Sequence, residues 1–179
     1  MKKLATIFFT FILLISTTNI VYAASSHNLS KKQSIKLVTD AHERYWNVSS
    51  GVMRNGTIEP YKTFTYKGLN YRYLQSNQFN TKKKFYTYLG KSFTNNAIDK
   101  YIKRYNYIEY NGKIAKPDAD GGSALNWKKA TAKLIYHRKN VRLYEYKIPL
   151  FDTSDYLKQK VTFYHYNGKW LINNMDDTK

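Results

Sequence analysis

Three dipeptides constrain this chain more than any other feature: Lys67-Gly68, Asn111-Gly112 and Asn167-Gly168. Each lies between short runs in which aromatic or aliphatic residues alternate with polar ones, as in Phe64, Tyr66, Leu69, Tyr71 and Tyr73 around the first. Such a pair can place two consecutive residues at positive φ. That backbone matches the twist of two antiparallel strands, so these pairs are hairpin signals. Hairpins are therefore expected over residues 62–74, 107–115 and 160–174. Residues 130–137 and 141–151 alternate in the same way and read as two long strands, with a turn at 152–156.

Helical spacing appears earlier. Ser30 precedes Ile35, Val38, Ala41, His42 and Tyr45, which predicts a capped amphipathic helix over 31–47. A loop over 49–60 follows. Thr81 precedes Phe85, Tyr88, Leu89 and Phe93, and Thr94 or Asn95 precedes Ile98, Tyr101, Ile102 and Tyr105. Helices first and strands later predict an α+β fold: a single domain with N-terminal helices and a mainly antiparallel sheet. Trp127 is expected to anchor into its core.

The first residues have a separate logic. Met1-Lys2-Lys3 is positive, residues 4–15 are apolar and uncharged, and Val21-Tyr22-Ala23 ends the run on a small residue. That order is the pattern of a secretory signal cleaved after Ala23, leaving one mature domain over 24–179. The uncharged run approaches the roughly 20 apolar residues a membrane span needs. Ser16, Thr17, Thr18 and Asn19 interrupt it and argue against an anchor. The protein is thus expected to be secreted and associated with a Gram-positive type of cell wall. There is no cysteine, so neither a disulfide nor a cysteine nucleophile is available.

With 30 Lys and Arg against 12 Asp and Glu, the formal net charge is +18, and losing Lys2 and Lys3 with the signal would lower it by two. A field of that sign attracts polyanions. For an exported protein those are anionic wall polymers and lipid headgroups, and nucleic acid is not an expected partner. The plainer reading is a solvated lysine surface that keeps the protein soluble and monomeric. The 18 Tyr and 9 Phe follow strand periodicity, so sheet packing is the plain reading and a sugar-stacking face the sharper one.

Catalytic patterns are sparse. His42-Glu43 would open a helical zinc motif, but Trp46 stands where the second ligand belongs. His137 and His165 with Asp152 or Asp155 form a residual hydrolase hypothesis. Asp118-Ala119-Asp120-Gly121 resembles the middle of a calcium loop, yet the twelfth position, counted from Asp118, is Lys129 rather than a carboxylate. No metal or cofactor is expected, and the protein reads as a non-enzyme. The segment Pro117-Asp118-Ala119-Asp120-Gly121-Gly122-Ser123 remains the most unusual: two acids and no base in a basic chain. It is either a bland turn or a probe for a cleft in another protein.

Three segments carry a resemblance: Phe64-Thr65-Tyr66-Lys67-Gly68 with Tyr71-Arg72-Tyr73-Leu74, Thr81-Lys82-Lys83-Lys84 entering a helix, and Pro117 to Ser123. In order and spacing they resemble the IseA family of secreted inhibitors of cell-wall DL-endopeptidases, over roughly Ser34 to Lys169. The resemblance implies one α+β domain with a flexible loop between a strand and a short helix. It also implies that the loop occludes the catalytic cleft of an NlpC-type cysteine peptidase. Asp120 and Gly121 match the acid and glycine of the family loop, whereas Ala119 stands where the family has glycine. Asp118, Ala119, Asp120, Gly121 and Gly122 are thus the expected inhibitory loop. The competing expectation is a non-catalytic wall- or small-ligand-binding module of nuclear-transport-factor-like shape, suggested by the closing hairpin with Trp170.

Overall fold

The computed structural model describes residues 28–56, 60–119, 121–151 and 153–179. The expected signal at 1–23, Asp120 and Asp152 lie outside the described residues. Helix α1 (Lys31–Ser50) starts on a reciprocal cap: Ser30 Oγ accepts from the Gln33 amide at 3.2 Å, and Gln33 Oε1 accepts from the Ser30 amide at 2.9 Å. Such a cap is worth about 1 kcal/mol. The helix outruns the expected end by three residues because Gly51, at φ +82°, takes the left-handed capping position and donates to Asn47 O at 3.0 Å. Its buried stripe is Ser34, Val38, Ala41, Tyr45 and Val48. Thr81 and Thr94 cap α2 (Lys82–Leu89) and α3 (Asn95–Arg104), respectively.

Among the described residues eight strands form two antiparallel four-stranded sheets. The first holds β1 (Thr63–Tyr66), β2 (Leu69–Tyr73), β3 (Ile108–Tyr110) and β4 (Lys113–Pro117) in the order β1-β2-β4-β3. The second holds β5 (Thr131–Arg138), β6 (Val141–Pro149), β7 (Tyr156–Tyr166) and β8 (Lys169–Ile172), in chain order. All three signalled turns have both residues at positive φ: Lys67 and Gly68 at 49° and 77°, Asn111 and Gly112 at 49° and 71°, Asn167 and Gly168 at 47° and 75°. The α+β fold with antiparallel strands is as expected, and the strands divide into two sheets because the second hairpin joins the first through β2 and β4 and leaves the long strands to pair among themselves.

One core serves both sheets. Val38, Tyr45, Phe85, Ile98 and Ile114 belong to the same buried cluster as Trp127, Tyr146, Phe163 and Ile172. Trp127, as expected, is buried at 2% exposure. Three of the buried tyrosines, Tyr88, Tyr101 and Tyr107, have their hydroxyls paired, as burying a polar group favours. Tyr107 donates to Val48 O at 3.1 Å and meets the Tyr101 hydroxyl at 3.0 Å, and Asn47 Nδ2 donates to Tyr88 Oη at 2.7 Å. No helix among the described residues is long and apolar enough to cross a membrane.

Candidate functional site: a loop held by buried cations

Strand alternation puts Tyr71 and Tyr73 on one face of the first sheet and Arg72 on the other. In register, Arg72 lies opposite Lys116 of β4. Both are buried, at 5% and 6% exposure. Two like charges placed opposite each other out of water are unfavourable unless acceptors converge on them.

The acceptors come from the segment that leaves β4. Ala119 O takes a hydrogen bond from Lys116 Nζ at 2.8 Å and another from Arg72 Nη2 at 3.2 Å. Asp118 Oδ1 lies 3.2 Å from Arg72 Nη1, and the Tyr61 ring lies under the guanidinium at 4.4 Å. The Asp118 amide donates to Asn70 O at 2.9 Å. The loop is therefore gripped where it begins.

It is gripped again where it ends. Phe151 N donates to Ala124 O and Asn126 N to Pro149 O, both at 2.8 Å, so the loop lies along the end of β6. Leu125 pairs with Leu150 in an isolated bridge. A single 3-10 turn, Trp127–Lys129, follows and seats Trp127 edge-on against Tyr146 at 5.6 Å. Between the two grips, Ala119, Gly121 and Gly122 are exposed. Alongside runs a cavity of about 760 Å³, walled by the loop and by Tyr45, Trp46, Tyr105, Leu157 and Asp176.

The expected loop residues thus fall on one connection, with Asp120 outside the described residues. Asp118 is tied to Arg72 and belongs to the grip. Sequence reasoning missed Arg72 and Lys116, which hold the loop, and Tyr61, whose ring backs Arg72. The available signal was a cation at the alternate position between Tyr71 and Tyr73, where an outward turn would have cost nothing.

Among the described residues the alternative catalytic set, His137, His165 and Asp155, is spread over β5, β7 and the turn before β7. His137 on β5 stands opposite Arg142 of β6, and Arg142 in turn opposite Phe163 of β7. His165 packs on Trp170 at 5.0 Å. Asp155 precedes β7 at the far end from His165, some ten residues or roughly 33 Å of extended chain away. Among the described residues no group of three or more His, Asp or Glu side chains could hold a metal ion.

The described residues thus form a two-sheet α+β scaffold in which the connection from β4 to the Trp127 turn is held near both of its ends. A family model described as IseA DL-endopeptidase inhibitor matches residues 25–177, and the chain belongs to that family of peptidase inhibitors. It is 40% identical over 181 residues, 98% of each chain, to a Bacillus subtilis (strain 168) protein described as the uncharacterized protein YoeB.

Proposed function

We propose that the mature protein inhibits NlpC-type cell-wall DL-endopeptidases by inserting the loop of Asp118, Ala119, Asp120, Gly121 and Gly122 into the catalytic cleft. The observation that carries this reading is the Arg72–Lys116 grip on Ala119. Holding both ends of a loop lowers the entropy lost on docking, which is how rigid protein inhibitors gain affinity. The negative charge of Asp120 suits a cleft that contains a catalytic histidine. Inhibition needs no covalent step. Residues 1–23 act as the export signal, and the inhibitor works as a secreted monomer at the wall.

Occlusion makes a direct prediction. The peptidase's catalytic cysteine should alkylate more slowly with iodoacetamide as mature inhibitor is added, levelling off near one equivalent. An unchanged alkylation rate at full inhibition would move the binding site away from the cleft.

The cavity beside the loop supports a second reading, a module that binds a small ligand. That reading predicts saturable ligand binding that an Asp120→Lys substitution leaves intact.

A further inference from the structure

The second sheet has one face on the core and one in water, and the register assigns every strand residue to a face. Tyr144, Tyr146, Ile148, Val161 and Phe163 are buried. Their neighbours therefore point outward: Lys147 and Glu145 on β6, Lys158 and Lys160 on β7. Lys133 of β5 joins them opposite Glu145, and Lys169 of β8 opposite Tyr166. Glu145 is the sole carboxylate among the described strand residues of this face. It is flanked in register by Lys133 and Lys160.

One row of the face cannot be explained by packing. Lys147 and Lys158 are direct cross-strand partners, and both are exposed. Like charges directly opposite one another destabilise a sheet. Lys160 continues the row two residues along β7, about 6.8 Å further on, with strands about 4.8 Å apart. Among the described residues no ion pair engages Lys147, Lys158 or Lys160. Lys147 Nζ instead rests 3.8 Å from the centre of the Tyr156 ring. Among the described strand residues of this face a single carboxylate, Glu145, stands against Lys133, Lys147, Lys158 and Lys160, so the row keeps a net positive charge that matches an extended chain of regularly spaced anions.

We infer that this outer face, centred on Lys147, Lys158 and Lys160, binds a linear phosphodiester polymer of the cell wall. The choice of a wall polymer over other phosphate chains rests on the proposed export. The face lies opposite the loop. Leu157 and Gln159, on the other side of the same strand, line the cavity beside the loop. A protein adsorbed through Lys158 and Lys160 would therefore present its loop away from the polymer.

The test uses the mature protein and wall sacculi, either intact or stripped of phosphodiester polymer by hydrofluoric acid. The variant K147Q/K158Q/K160Q is compared with K82Q/K83Q/K84Q, which removes equal charge from the start of α2. The first is expected to lose most binding to intact sacculi, with the logarithmic salt slope reduced by about two. The second should bind like the wild type, and stripped sacculi should hold neither. Equal losses in the two variants, or equal binding to stripped sacculi, would overturn the inference. Tighter binding to anionic vesicles or to single-stranded DNA than to soluble poly(glycerol phosphate) would also overturn it. Amide shift mapping of the wild type with poly(glycerol phosphate) needs no variant and should centre on residues 145–147 and 156–160. Shifts centred elsewhere would refute it. Asp120→Lys should bind sacculi normally, so loss of inhibition and loss of wall binding fail separately.

Discussion

Arg72 and Lys116 face each other across β2 and β4, both buried, and both donate to the carbonyl oxygen of Ala119. A repulsive pair is thereby converted into a device that fixes the start of the loop. Arg72 has the larger role, since it also meets Asp118 and lies on Tyr61. Arg72→Met is expected to cost about 2–3 kcal/mol, the worth of hydrogen bonds to a charged group. Lys116→Met loses the hydrogen bond to Ala119 O but relieves the repulsion, so a smaller cost, about 1 kcal/mol, is expected. Urea unfolding of the two variants would check the order, and both should inhibit more weakly than their stability loss explains.

The two loop glycines should tolerate a methyl group in the free protein. A Cβ on Gly121 would meet the Trp46 ring at 3.6 Å, an ordinary contact, and one on Gly122 would meet nothing within 4 Å. Neither shows the left-handed backbone of Gly51 at φ +82°. Gly122→Ala should therefore leave the melting temperature within error, while Gly51→Ala should cost about 1–2 kcal/mol. If Gly122→Ala abolishes inhibition at unchanged stability, the glycine's freedom is used only on docking.

The hydroxyl of Tyr107 joins α1 to the start of the second hairpin through Val48 O and Tyr101. Burial pushes its pKa well up, so it stays a neutral donor. Tyr107→Phe leaves a buried carbonyl without this donor and should cost about 1–3 kcal/mol by denaturant titration. The fold, read by circular dichroism, should not change.

How much of this was legible in the sequence depends on range. The hairpins were readable because Lys67-Gly68, Asn111-Gly112 and Asn167-Gly168 encode the turn locally. The helix starts were readable because Ser30, Thr81 and Thr94 act on amides three residues away. The division into two sheets was not, since no residue near Tyr71 signals that its partner is Pro117. β7 begins at Tyr156, where a turn was expected, because its first half is exposed and lacks an apolar rhythm; only pairing with β6 makes it a strand. The loop was legible as an acidic, glycine-rich interruption. Its grip was not, because Arg72 and Lys116 meet only through register.

His42 supplies a pH dependence. It is partly buried, and its Nδ1 lies 2.6 Å from Thr178 O, to which it donates. Burial lowers its pKa below 6.5, with Arg54 acting in the same sense and the Thr178 bond and Glu43 opposing. The unfolded chain then binds more protons than the folded one, so this residue's contribution falls as pH drops through about 6.5. Asp177 works in the opposite sense. Burial raises its carboxyl to about 6 from 3.8, so its contribution grows on acidification through that interval. His42→Gln keeps a donor for Thr178 without the titration. Wild type should lose stability relative to this variant between about pH 7.5 and 5.5, by no more than about 1.4 kcal/mol per unit. Parallel pH profiles for the two proteins would contradict the assignment.

The most direct test of the account is hydrolysis of purified peptidoglycan by a DL-endopeptidase, with residues 24–179 added as wild type or as Asp120→Lys. The loop account predicts saturable, near-stoichiometric inhibition by wild type and its loss in the variant, with both melting at the same temperature. Equal inhibition by the two proteins would contradict it and place the inhibitory surface elsewhere on the domain.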